Sequence, residues 1–117
     1  MIAFSALVLI AGCQDEGSRR PNDFTQSNIN RETRIVKNDP ATRAMVMNDC
    51  RANVRRGSAK DRQNIAVFMK VPVAEAAETF CSRIVGGLES GRLTAADGNA
   101  LKRGRITPAA LAVLQGE

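Results

Sequence analysis

The sequence contains no histidine, tryptophan or tyrosine, and only four phenylalanines in 117 residues. Without histidine the chain lacks the commonest general base and the commonest metal ligand. Catalytic triads and dyads of the usual kinds are therefore excluded. With so few rings, a core must be built from Ala, Val, Ile, Leu and Met, which predicts a small domain of modest stability. There is also no apolar run near the roughly 20 residues that a membrane-spanning helix needs. The longest, residues 2–11, is broken only by Ser5.

That run ends in Leu9-Ile10-Ala11-Gly12-Cys13 and is followed by the polar, turn-forming Gln14-Asp15-Glu16-Gly17-Ser18-Arg19-Arg20-Pro21. Its length suits the apolar region of a secretory signal peptide. Ala11 and Gly12 fit a peptidase pocket that accepts only small side chains, and Cys13 is a soft nucleophile open to alkylation by a lipid. The pattern resembles the lipobox of bacterial lipoproteins. The resemblance implies cleavage after residue 12, a diacylglyceryl group and further acyl chains such as palmitate on Cys13, and anchoring to rather than through a membrane. Gln14, rather than Asp, after the cysteine resembles the sorting signal for the outer membrane, with the domain facing the periplasm. No Lys or Arg precedes the run, and twelve residues before the cysteine is short. This points to a start upstream of Met1 or to inefficient export.

Three cysteines leave one unpaired in an exported protein. If Cys13 carries the lipid, Cys50 and Cys81 remain, and an oxidising envelope favours a disulfide between them.

Residues 13–38 read as the lipidated N-terminus and a flexible tether. Asp, Glu, Ser, Asn, Gln and Arg dominate, and the apolar residues Phe24, Ile29, Ile35 and Val36 are scattered. Such a tether has a root-mean-square reach of roughly 25–30 Å. Arg34 to Lys37 is the part expected to lie against the domain.

The domain itself is expected over 39–117, as an all-α bundle of four to five short helices with one disulfide. Asp39 is placed to cap a helix with Pro40 at its first position. That helix runs to about Arg56, with Val46, Met47, Cys50 and Val54 on one face. Ser58 caps a second helix over 59–70, whose apolar set is Ile65, Phe68 and Met69. A third runs from 72 or 73 to 90, with Ala77, Phe80, Cys81, Ile84, Val85 and Leu88 on one arc. Cys50 and Cys81 then lie on apolar faces that must pack together.

The remainder carries a repeat. Gly91-Arg92-Leu93-Thr94-Ala95-Ala96 returns as Gly104-Arg105-Ile106-Thr107-Pro108-Ala109. Each copy ends one helix at Gly and caps the next with Thr, predicting helices over 95–103 and 108–115. Asp97 follows Thr94 at capping-box spacing, and Ile106 and Leu111 stand where a hydrophobic staple would form.

The net charge is +5, with 17 Lys and Arg against 12 Asp and Glu. The densest basic cluster is Arg51, Arg55, Arg56, Lys60 and Arg62, around the first interhelical turn. It is the candidate contact for anionic envelope polymers or lipids, although a solvated basic surface reads the same way. No aromatic interleaves it, and nucleic acid is not expected. Gly91-x-Leu93-Thr94-x-x-Asp97 resembles half of a calcium-binding loop, but the preceding ligand positions fall on Gly86, Leu88 and Ser90, two of which have no side-chain oxygen. Met45 and Met47 lie about 200° apart on a helix, and with Met69 read as core filling rather than as metal ligands. Glu75, Glu78 and Asp97 are the carboxylates that a small enzyme would use, and their spacing argues for no site. No catalytic residue, cofactor or metal is expected. The expected role is a non-enzymatic structural or interaction module, held to the membrane by its N-terminal lipid and meeting an envelope protein or an anionic polymer.

Overall fold

The computed structural model describes residues 22–117, and the expected lipobox with Cys13 lies outside them. The described residues form an all-α fold of six helices: α1 (Gln26–Asn38), α2 (Pro40–Arg56), α3 (Ala59–Met69), α4 (Ala76–Ser90), α5 (Ala95–Lys102) and α6 (Pro108–Leu114). A 3-10 turn, Val73–Glu75, leads into α4. Pro72 sets that entry, because the residue before a proline avoids helical backbone.

The caps form where local chemistry predicts them. Asp39 accepts hydrogen bonds from the Ala41 amide at 3.2 Å and the Thr42 hydroxyl at 2.7 Å. Its own amide donates back to Ile35 O, so one residue ends α1 and starts α2. Ser58 accepts from the Asp61 amide at 3.0 Å. Gly91 and Gly104, the first residues of the two repeats, both have left-handed backbone, with φ of 82° and 76°. Lys70 adopts the same conformation at φ 61° without being glycine. It sits at the end of α3, where the Val71 amide donates to Ala66 O at 3.0 Å and the Lys70 amide to Val67 O at 3.1 Å. This is a Schellman closure with lysine in the position glycine usually fills.

α4 is the central helix and packs against α1, α2, α3 and α6. Its buried residues are Ala76, Ala77, Cys81, Val85 and Gly87, small enough to let several helices approach at once. A methyl group at Gly87 would stand 2.8 Å from Leu93 and 3.1 Å from Val113. Glycine is therefore the only residue that lets the first repeat and α6 pack onto α4 as they do. Cys50 and Cys81 form a disulfide between α2 and α4, in a core cluster with Val36, Met47 and Val85. Closing a loop of 31 residues contributes about 3–4 kcal/mol in the chain-entropy model. Met47 and Met69 are buried as core filling, whereas Met45 and Val46 are exposed. Val46 keeps to the side of α2 that faces α4 and lines a groove beside Val36, Val85 and Leu88 without being buried.

The expected tether is corrected over its second half. Residues 26–38 are helix, and Ile29 and Val36, two turns apart, are buried. The preceding residues dock on α5. The Phe24 amide donates to Asn99 Oδ1 at 2.8 Å, and Asn99 Nδ2 donates to Phe24 O at 3.0 Å. The Gln26 side chain accepts from the Ala95 amide at 2.8 Å, Arg103 pairs with Asp23, and Lys102 lies 4.7 Å above the Phe24 ring. All the partners in this clasp are some 70–80 residues away in sequence, so no local pattern announces it.

Candidate functional site

The basic cluster is divided by the fold. Arg51 donates to Glu78 on α4 and to Asn48 Oδ1 at 2.8 Å, and its charge is matched. The hydrogen bond from Arg51 holds the Glu78 carboxyl below its ordinary value against the upward push of burial, helped by the charges of Arg51 and Arg55. Arg62 turns inward and donates to Arg55 O at 2.8 Å and to Gly57 O, covering carbonyls that the end of α2 leaves open. Arg56 donates to Asn53 Oδ1 at 2.9 Å. Arg55 and Lys60 are exposed and form no ion pair among the described residues. Of the five expected anion contacts, Arg55, Arg56 and Lys60 therefore remain as outward charge.

The three carboxylates do not converge. Glu75 is exposed in the 3-10 turn, Glu78 is paired, and Asp97 is buried in the first turn of α5. Burial pushes the Asp97 carboxyl up. Hydrogen bonds from the Thr107 hydroxyl at 2.6 Å, the Thr94 amide at 2.8 Å and the Thr94 hydroxyl at 3.1 Å outweigh that, and hold it below the ordinary aspartate value. Its oxygens are occupied by caps. No group of three His, Cys, Asp or Glu residues that could hold a metal occurs among the described residues. Nor is any helix among them long and apolar enough to cross a membrane.

Two grooves open between the helices. One, of about 290 Å³, lies between α1, α2 and α4, and is lined by Ile29, Ile35, Val46 and Leu88 together with Glu32 and Glu89, the last paired with Arg43 at 3.1 Å. The larger, of about 570 Å³, is lined by Val54 on α2, Ile65 and Phe68 on α3, Phe80 on α4, Leu101 on α5 and Ile106 in the link to α6. Its floor is the core cluster that holds Met69 and Leu114. Asn53, Gly57, Asp61, Asn64 and Gly104 complete its lining. The chain matches no protein-family model, no curated protein and no solved structure.

Sequence reasoning brought Cys50 and Cys81 together and pointed to the basic turn, but it missed the larger groove. Its walls come from five helices and a link, α3 contributing five residues and each of the others one or two. The one local sign is Ile106. It stands where the first repeat has Leu93, yet Leu93 is 2% exposed and Ile106 48%. The expected staple partner, Leu111, is exposed as well.

Proposed function

We propose that the protein is a lipid-anchored interaction module of a bacterial cell envelope, attached through Cys13 and acting by binding rather than by catalysis. The observation that carries this reading is the Cys50–Cys81 disulfide. Such bonds persist in oxidising compartments, and this one accounts for every cysteine except the one in the lipobox-like motif. Outer-membrane attachment facing the periplasm follows from Gln14 in the same reading. The clasp on α5 tightens the attachment. Eight residues separate Cys13 from Asn22, so the domain stands within about 30 Å of the anchor.

The test is the intact mass of the protein extracted from bacterial membranes and alkylated without reduction. The expected mass begins at Cys13, carries diacylglyceryl and acyl additions, and shows no alkylated thiol. A mass that retains residues 1–12 with alkylated cysteines would overturn the reading.

A second reading is favoured by Arg55, Arg56 and Lys60, which are exposed and form no ion pair among the described residues: a contact for anionic envelope polymers or lipids. Substituting Arg55 and Lys60 by Ala is expected to weaken binding to anionic vesicles and to lower its salt dependence. Unchanged binding would remove this reading and leave the anchor untouched.

A further inference from the structure

We infer that the larger groove binds a single long acyl chain with a carboxylate head, a free fatty acid. The inference deepens the second reading above, because it assigns part of the same basic turn to one ligand.

The groove has the make-up of a small-molecule site: concave, a few hundred Å³, mostly apolar, with a few polar groups in its lining. Val54, Ile65, Phe68, Phe80, Leu101 and Ile106 provide the apolar wall. At about 570 Å³ it suits one chain rather than a two-chain lipid. Two guanidinium groups bond directly to residues of its lining. Arg62 donates to the carbonyl of the lining residue Gly57, and Arg56 donates to the side chain of the lining residue Asn53. Arg105 stands in the chain between the lining residues Gly104 and Ile106 and is exposed. Asp61 is the acidic member of the lining. Three arginines against one aspartate leave the surroundings of the groove with net positive charge. Arginine is the side chain best shaped to hold a carboxylate through paired N–H groups. The smaller groove has Glu32 and Glu89 in its lining; Arg43 pairs with Glu89, and the Glu32 carboxylate would repel the same ligand. Ile106 completes the argument. It projects from the second repeat at the groove, where the first repeat buries Leu93.

The experiment uses the full chain, synthesised without membranes under oxidising conditions so that Cys13 carries no lipid. The probe is cis-parinarate, a fatty acid that fluoresces in apolar surroundings, displaced in turn by palmitate, hexadecanol and palmitoyl-lysophosphatidylglycerol. Parinarate uptake with displacement by palmitate is expected. Ile106→Glu and the pair Arg56→Glu with Arg105→Glu are each expected to weaken uptake about tenfold or more, with helix content and the disulfide retained. These positions lie at the surface, so the variants test the groove and not the core. Ile35→Glu, in the smaller groove, is expected to leave uptake unchanged.

No uptake by the wild-type chain would overturn the inference, as would loss of uptake in Ile35→Glu alone. Equal displacement by hexadecanol would show that the arginines hold no carboxylate. Displacement by the lysophospholipid and not by palmitate would assign the groove to membrane lipid instead. A dimer that Ile106→Glu turns monomeric, without parinarate uptake, would assign it to a second copy of the chain. None of these outcomes bears on the mass of the membrane-extracted protein, so this inference and the anchor fail separately.

Discussion

The hydroxyl of Thr107 donates to Asp97 Oδ1 at 2.6 Å while accepting from the Ala110 amide at 3.1 Å. Thr107 is thus both the N-cap of α6 and a ligand of the carboxylate that completes the capping box of α5. The two repeats are bound together through their equivalent threonines. Thr107→Ala is expected to lower stability by about 2–3 kcal/mol, combining a lost cap with a buried carboxylate short of one donor. Urea denaturation measures this directly.

The same carboxylate gives a pH dependence. Its folded-state value lies below its unfolded one, so its contribution is present above the ordinary aspartate value near 3.9 and is lost as pH falls through the folded-state value. Asp39 and Glu78 are lowered too, Asp39 chiefly by the Thr42 hydroxyl and Glu78 by Arg51. The difference between wild type and Asp97→Asn isolates the Asp97 part. That difference should shrink steadily with acidification below pH 4. A difference that does not change with pH would place the effect of Asp97 outside its charge.

Gly87 sits inside α4, where alanine would ordinarily favour the helix by about 0.5–1 kcal/mol. Here Gly87→Ala should instead destabilise by about 1–3 kcal/mol, since the added methyl meets Leu93 and Val113, both buried. Thermal denaturation gives the sign at once. A stabilised variant would mean that Leu93 yields more easily than its packing indicates.

Lys70 pays a steric penalty that glycine does not. Its left-handed backbone costs about 1–2 kcal/mol in a residue with a Cβ. Lys70→Gly should raise stability by about 1 kcal/mol, the rest being offset by the greater freedom of glycine in the unfolded chain. The side chain is exposed, so little packing is lost.

Asn99 holds Phe24 by two backbone hydrogen bonds and is itself buried. Asn99→Ala should loosen residues 22–38 and raise tryptic cleavage at Arg31 and Arg34 several-fold, because cleavage follows the population of the opened form. Unchanged cleavage would show that Ile29 and Val36 hold α1 without the clasp.

The parts of this fold that were legible beforehand are those decided within about four residues of chain. Asp39-Pro40, Ser58, Thr94 and Thr107 start helices through their own side chains, and Gly91 and Gly104 permit the turns that end them. Periodicity placed Cys50 and Cys81 on facing helices, and the bond between them follows. α1 was not legible, because only Ile29 and Val36 mark its buried side within a polar stretch. What ties it into the domain is the burial of Val36 against Met47, Cys81 and Val85 on α2 and α4, and the hold of Ala95, Asn99, Lys102 and Arg103 on residues 22–26, all met only once the chain is folded.

The sequence by itself determined the caps at Asp39, Ser58, Thr94 and Thr107, that one pair of cysteines would join, and that a motif like a lipid-attachment site precedes the domain. Tertiary structure alone decided which arginines stay free, that Asp97 links two caps, and that a groove lies beside the basic turn. The physical reason is range. Capping and helical periodicity act between neighbours in the chain, whereas charge pairing, burial and cavities depend on side chains that only packing brings together.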